Sequence, residues 1–281
     1  MELKTLNNRV VATHSQPLVS IITVVLNGAK TLEKAIKSVI HQKFKNYEYI
    51  IVDGNSVDGS IEIIKKYESK LACWISEPDK GIYDAMNKAV PLSRGKWIYF
   101  LGADDHLLEG FATAVDYLKN EKTLYYGNVY RPIINRIYDG KFSAYKLACR
   151  NICHQGIFYP RHIWEKYSYN LKYPILADYE LNLRCFADSD IKFEYVPVSI
   201  AIFWDEGGVS PTQVDTVFEK DKLALIKNKF PLWIYLLIVI RLFLLTTLNK
   251  LRFEKVAVTI YHYLLRIKSN HSKEKSTINK N

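Results

Sequence analysis

Regular patterning begins at Leu18-Val19-Ser20-Ile21-Ile22-Thr23-Val24-Val25, a β-branched run without a polar alternation. Such a run predicts a strand buried on both faces, as in a parallel sheet. Leu32, Ala35, Ile36, Val39 and Ile40 then recur at helical spacing, predicting an amphipathic helix with Thr31 at its N-cap. Tyr49-Ile50-Ile51-Val52 reads as a second strand ending at Asp53. Asp58 or Ser60 opens a helix carrying Ile61, Ile64 and Tyr67. Cys73-Trp74-Ile75 makes a short third strand, residues 82–90 a helix, and Lys96 to Leu101 a fourth strand, followed by a helix over about 107–119. Strand and helix alternating four times predict an α/β fold with a mostly parallel sheet. Ligands of such sheets bind beyond the carboxyl ends of the strands, where Asp53 and Asp104-Asp105 fall.

The remainder is less regular. Tyr125 to Tyr130 and Phe193 to Trp204 read as strands, and residues 178–187 and 214–228 as helices. Residues 231–248 are almost wholly apolar, but Arg241 sits near their middle, where a charge costs roughly 2.5–3.5 kcal/mol on insertion scales. A weaker amphipathic stretch follows at 256–267. The expectation is a helix or hairpin lying in a membrane interface; a spanning helix and a helix packed on the body are the alternatives.

Charge reinforces that division. The net charge is +10, yet residues 227–281 hold 11 Lys/Arg against 2 Asp/Glu, so the preceding residues are nearly neutral. A basic apolar tail suits an anionic membrane surface, and a near-neutral body argues against a nucleic-acid face. Cys73, Cys149, Cys153 and Cys185 are too scattered for a zinc site. With no signal peptide read at the N-terminus, they are expected to be reduced thiols in a cytoplasmic compartment. A chain of 281 residues, 48% hydrophobic, suits one large domain with an appendage.

Three segments carry candidate chemistry. In Phe100-Leu101-Gly102-Ala103-Asp104-Asp105 two adjacent carboxylates end a hydrophobic strand. That pairing is unfavourable unless a cation or ligand hydroxyl satisfies it, and Mg²⁺ or Mn²⁺ bridging to a diphosphate would do so; an acidic helix cap is the plainer alternative. Val52 to Ser60 is a strand, a polar turn and a helix start, offering Asp53, Asn55 and backbone N–H groups to a ligand, or making an ordinary βα turn. Lys80, Asp84, Asn87 and Lys88 line one side of a helix start, or form a solvated face.

Together these segments, with Val19 to Asn27, resemble the family 2 glycosyltransferases over residues 18–120, and more weakly to about 210. The resemblance implies a GT-A fold, a nucleotide-diphosphate sugar donor (UDP being the family's commonest nucleotide) and inverting transfer. On that basis residues 1–17 are a leader, 18–228 the catalytic domain (18–120 the nucleotide-binding half, 121–228 the acceptor half), and 229–281 membrane-associating helices. The resemblance makes Asp53 the base-contacting acid, Asp104 a group near ribose and diphosphate, and Asp105 the ligand of Mn²⁺ or Mg²⁺. Thr23, Leu26 and Asn27 fall where the family cradles the nucleotide, and Asp84 near the donor.

Inversion needs a carboxylate to take the acceptor hydroxyl's proton. Asp178, in Leu176-Ala177-Asp178-Tyr179-Glu180, matches the family's base, with Ala177 where Glu is frequent. Glu180 competes, but on a helix it points about 200° away. His154 and Gln155 resemble a pair facing acceptor or donor sugar, and Trp204-Asp205-Glu206-Gly207-Gly208 resembles a loop that closes over the donor. The expected function is extension of a saccharide, free or lipid-linked, for a surface polysaccharide at the cytoplasmic face of the inner membrane. A nucleotidyltransferase and an inactive sugar-nucleotide-binding scaffold are the competing readings.

Overall fold

The computed structural model describes residues 16–204 and 214–248. Contacts divide the chain into a unit ending at Phe230 and a second beginning at Pro231.

In the first unit, β1 (Val19–Val25) is buried at every position, the environment its uninterrupted β-branched sequence requires. It pairs in parallel with β2 (Tyr47–Asp53) on one side and β4 (Trp97–Phe100) on the other, and β3 (Cys73–Ser76) extends the parallel half beyond β2. Three helices connect these strands: α1 (Leu32–Ile40), α2 (Ser60–Lys66) and α3 (Ile82–Ala89). Leu32, Ala35, Ile36 and Val39 form the buried stripe of α1. Thr31 occupies the N-cap position, but its hydroxyl caps nothing; it bonds back to the Gly28 carbonyl instead.

Beyond β4 the sheet becomes mixed. Its order is β3-β2-β1-β4-β8-β6-β9-β5, where β5 is His106–Leu107, β6 Thr123–Arg131, β8 Ile157–Pro160 and β9 Lys192–Ile202; β7 (Arg136–Tyr138) pairs with β6. β8 runs antiparallel to both its neighbours, β4 and β6, while β9 is parallel to β6. β1, β2, β3, β4, β6 and β9 therefore share one direction and present their carboxyl ends along a single edge.

α4 (Gly110–Val115) is shorter than the pattern predicts, because His106 and Leu107 are drawn into a two-residue strand against β9. α4 also lies hard on β9: a Cβ at Gly110 would stand 2.1 Å from the Ser199 carbonyl oxygen. The acceptor-side half adds α5 (Ala144–Cys149), α6 (Ile163–Lys166), α7 (Ala177–Ala187) and α8 (Thr216–Lys229). α8 begins where Asp215 accepts from Phe218 N–H; the same side chain accepts from the N–H groups of Ile175 and Leu176, which fixes the approach to α7.

The second unit is described over 231–248, with residues 232–248 helical. Val239, Ile240, Leu242, Phe243, Leu244 and Leu245 are all exposed, as is Arg241. Seven consecutive exposed positions pass round the helix almost twice. The helix here is apolar on every face apart from Arg241, as its sequence requires, while one turn earlier Ile234 and Ile238 are buried. No helix among the described residues is long and apolar enough to cross a membrane.

Candidate active site

The βα turns after β1 and β2 are laced to each other. Asn27 and Asn55 take left-handed backbone conformations (φ 53° and 70°), which Asn tolerates better than most residues. Asn27 N–H donates to Ser56 Oγ, Gly28 N–H to Ser60 Oγ and Ala29 N–H to Asp58 Oδ2, while Asn27 Oδ1 accepts from Val57 N–H. The Asn27 side chain is thus committed to the loop. Leu26 stands out from it, 57% exposed, and Asn55 is exposed beside it. Thr23 is not on this loop. It lies inside β1, wholly buried, with its hydroxyl 3.0 Å from that of Tyr49, because the strand runs two residues further than a loop at Thr23 would allow.

Asp53 closes β2 with no exposed surface. Its Oδ2 accepts from Asn55 N–H, Ser56 N–H and Ser76 Oγ. Its Oδ1 is buried without a hydrogen-bond partner among the described residues. A buried carboxylate oxygen left unbonded is costly, which marks Asp53 Oδ1 as an acceptor still to be satisfied.

At the start of α3, Asp84 Oδ2 accepts from Lys80 N–H and lies 3.4 Å from Lys88 Nζ. The Lys80 side chain is exposed. Asn87, expected on a donor-facing side, points elsewhere: its amide donates to the Tyr169 carbonyl and accepts from Tyr169 N–H, clamping α3 to the 167–173 segment.

Asp104 and Asp105 follow β4. Asp105 is fully buried; Oδ1 accepts from Trp204 N–H at 2.9 Å and Oδ2 from the Gln155 amide. Burial first, then the charge of Asp104, pushes the Asp105 carboxyl up to about 7; burial raises Asp104 as well. A Cβ at Gly102 would stand 2.4 Å from Asp105 Oδ2 and 2.9 Å from Asp104 Oδ1, so the backbone passes directly over both carboxylates. Among the described residues no group of three or more His, Cys, Asp or Glu side chains could hold a metal unaided. The pair does suit a hard divalent cation of the kind that uses one or two carboxylates and completes its shell with phosphate oxygens and water. Two crowded carboxylates, resisting ionisation in the absence of a cation, are a donor set that such an ion would relieve.

Gln155 is committed to partners within the protein. It is buried and its carbonyl oxygens are both used: Oε1 accepts from Cys153 Sγ and the backbone oxygen from Tyr99. Trp204, just past β9, also donates its ring N–H to His106 Nδ1 at 3.0 Å. The proposed closing loop, Asp205 to Ser210, lies outside the described residues. His154 stands between the two acidic groups. Its Nδ1 is 3.8 Å from Asp178 Oδ2, its field reaches Asp104 and Asp105, and its Nε2 is buried without a hydrogen-bond partner among the described residues.

Asp178 is buried in the first turn of α7, while Leu176 holds the cap position. Oδ1 lies 2.9 Å from the Tyr83 hydroxyl, whose single proton also has the Ile175 carbonyl within 2.7 Å. Oδ2 accepts from Asn151 at 2.7 Å; Asn151 Oδ1 accepts from Asn182, and Asn182 Oδ1 from Tyr159. This chain passes through the interior to a side chain on β8. Glu180 is also buried but faces Arg184 Nη2 at 2.8 Å and shares no partner with Asp178; burial raises its carboxyl. Asn151, Asn182 and Tyr159 carry no motif, Tyr83 lies inside the 79–89 segment without a role read for it, and only the fold brings the four to Asp178.

The sequence from 20 to 180 matches the family model described as Glycosyl transferase family 2. The chain belongs to that family, and it is a glycosyltransferase. Over 213 residues it is 37% identical to the PGL/p-HBAD biosynthesis glycosyltransferase of Mycobacterium bovis, covering 73% of this chain and 83% of that protein. Over 116 residues, 40% of this chain and 46% of the relative, it is 33% identical to the UDP-Glc:alpha-D-GlcNAc-diphosphoundecaprenol beta-1,3-glucosyltransferase WfaP of Escherichia coli. Its fold resembles that of S. aureus TarS 1-349 in complex with UDP-GlcNAc, with a TM-score of 0.59, 14% identity and coverage of 75% of this chain and 67% of that one. The mannosyltransferase PcManGT of Pyrobaculum calidifontis, in complex with GDP-Man and Mn²⁺, aligns with a TM-score of 0.56 at 18% identity over 67% of this chain and 57% of its own. Both likenesses support the GT-A architecture, and family membership sets aside the nucleotidyltransferase reading.

Proposed function

We propose that this glycosyltransferase moves a sugar, with inversion, from a nucleoside-diphosphate sugar to a saccharide hydroxyl. The observation that carries the reading is the placement of acidic groups at the end of β2, just after β4 and in the first turn of α7, with His154 linking the last two. Asp53 offers an unbonded oxygen to a nucleobase N–H, Asp104 and Asp105 mark the diphosphate, and Asp178 lies beyond His154 on the acceptor side. Asp178 takes the proton from the acceptor hydroxyl as that oxygen bonds to the anomeric carbon. The bond from that carbon to the diphosphate oxygen breaks, and the nucleoside diphosphate leaves. Mn²⁺ or Mg²⁺ held by Asp105, when bound, supplies stabilisation of the leaving diphosphate's charge. Uracil is the proposed base, in keeping with the UDP named for TarS and WfaP.

The acceptor is proposed to be lipid-linked, in surface-polysaccharide or glycolipid assembly, in keeping with the diphosphoundecaprenol named for WfaP. The exposed apolar helix at 232–248 and the basic tail support work at the anionic cytoplasmic face of a membrane.

Thermal shift with UDP, with and without Mn²⁺, tests donor and cation together, because a ligand of the folded state raises apparent stability. UDP should stabilise the protein and Mn²⁺ should enlarge the effect; Asp105→Asn should remove the Mn²⁺ increment. Asp178→Asn should keep the UDP shift and lose transfer. Full transfer by Asp178→Asn would remove that residue from the base role.

A further inference from the structure

The hairpin formed by β6 and β7 has an arrangement that neither folding nor donor chemistry requires. Its four-residue connection, 132–135, is closed by Asn135 N–H on the Pro132 carbonyl at 3.0 Å. It is further pinned by Tyr130 Oη on Asn135 Oδ1 at 2.8 Å, with Asn135 in the left-handed region at φ 44°. The two central positions of such a turn ordinarily carry polar residues or Gly. Here they are Ile133 and Ile134, 48% and 47% exposed, and Ile137 on β7 is 62% exposed. Single exposed apolar side chains are ordinary, but three within five residues on a rigid tip form a patch.

Beside the isoleucines the strands place basic side chains. Arg131 and Arg136 are cross-strand partners, and Arg136 is exposed at the end of the hairpin. Arg131 also stands over the rings of Tyr138 and Phe203, both at 5.7 Å, which keeps it at this end of the hairpin. Tyr138, one residue after Ile137, donates its hydroxyl to the Asn151 carbonyl at 2.8 Å. Asn151 in turn holds Asp178, so the hairpin is one residue removed from the proposed base.

We infer that the β6–β7 hairpin docks on an anionic bilayer. Ile133, Ile134 and Ile137 enter the apolar layer and exposed Arg136 meets lipid phosphates. Apolar burial beside basic side chains is the combination that holds proteins at charged membrane interfaces. Docking here would open the acceptor side of the cleft toward the surface from which a lipid-linked acceptor must come. That consequence, though not the docking itself, rests on the reading of Asp178 as base.

Hydrogen–deuterium exchange on the full chain gives a readout local to the hairpin. Vesicles of phosphatidylcholine with about a third phosphatidylglycerol should slow exchange across residues 130–139 severalfold; phosphatidylcholine alone should do much less. Ile133→Ser/Ile134→Ser/Ile137→Thr places residues suited to a turn and a strand, and it should remove that protection while UDP binding persists. Arg136→Glu should weaken it at low salt. Three results would overturn the inference: unchanged exchange with anionic vesicles, equal protection by inorganic phosphate alone, or hairpin protection that grows with protein concentration without lipid. Asp178→Asn should retain vesicle protection; losing transfer while keeping protection separates the fate of the base from that of the docking surface.

Discussion

At the scale of single residues, Asp105 is held at an energetic disadvantage. Its carboxyl titrates near 7 in the folded protein because burial, and then the Asp104 charge, oppose ionisation, whereas an unfolded Asp titrates near 3.9. A raised folded pKa contributes stability that is full below about pH 4 and is lost as pH rises through about 7. Asp105→Asn removes that loss, with Gln155 able to turn its amide to face the new side chain. In chelator the variant should gain thermal stability over the parent as pH goes from 5 to 8. A difference between the two that did not change with pH would show that the Asp105 carboxylate is not strained. The residues that hold Asp178 lead to a second prediction. Asn151→Ala leaves Asp178 Oδ2 and the Asn182 amide without their partner. Turnover should fall on the order of ten- to a hundredfold, as displaced catalytic groups do, with donor KM within about twofold. Asn151→Asp puts a second carboxylate against Asp178 and should move the acidic limb of the pH–rate profile upward. An unshifted profile would assign Asn151 a packing role only. The places of Asp53, Asp105 and Asp178 in the fold were legible in the sequence because each ends, follows or opens a regular element. Asn151, Asn182 and Tyr83 were not, because they come from separate segments with no shared spacing.

At the scale of elements, legibility follows sequence separation. β1 to β4 were readable because each is a local apolar run, joined to the next by a helix with its own period. The position of β8, antiparallel between β4 and β6, cannot be read from Ile157–Pro160, since both partners lie far away in the chain. α4 shows the same limit in a helix. The apolar pattern from 107 onward suits a helix, yet β9 claims Leu107 for a strand pair, and α4 starts only at Gly110. The absence of a side chain there is what lets α4 rest on β9. A Cβ 2.1 Å from the Ser199 carbonyl must displace backbone, so Gly110→Val should cost about 1–3 kcal/mol or more in urea unfolding. Because β9 ends beside Trp204, whose N–H binds Asp105, the same variant should weaken the Mn²⁺ increment in UDP thermal shift. A destabilised protein with an undiminished increment would show that strain at α4 does not travel along β9.

At the scale of the whole molecule, two different signals are concentrated beyond the catalytic unit. One is charge: 9 of the 39 Lys/Arg fall within residues 231–281, with only 2 acidic residues. The other is the helix at 232–248, which exposes apolar side chains all round between Val239 and Leu245. The sequence pattern reads as an almost wholly apolar run broken by Arg241. Between Val239 and Leu245 the structure leaves that run exposed on all sides, interrupted by Arg241, while Ile234 and Ile238 before it are buried. Charge attraction to anionic lipid is screened over about 8–10 Å at moderate salt, while apolar burial is not. The two signals can therefore be separated in flotation with phosphatidylglycerol-containing vesicles. Raising NaCl from about 0.05 to 0.5 M should reduce the bound fraction severalfold but leave a residue that salt does not remove. Leu242→Ser/Phe243→Ser should abolish that residue and leave the salt-sensitive part. Complete release by salt would make the tail purely electrostatic, and binding indifferent to salt would make the basic residues bystanders. Retention of both components assigns the tail to holding the enzyme at the membrane. Orienting its cleft then falls to elements of the catalytic unit.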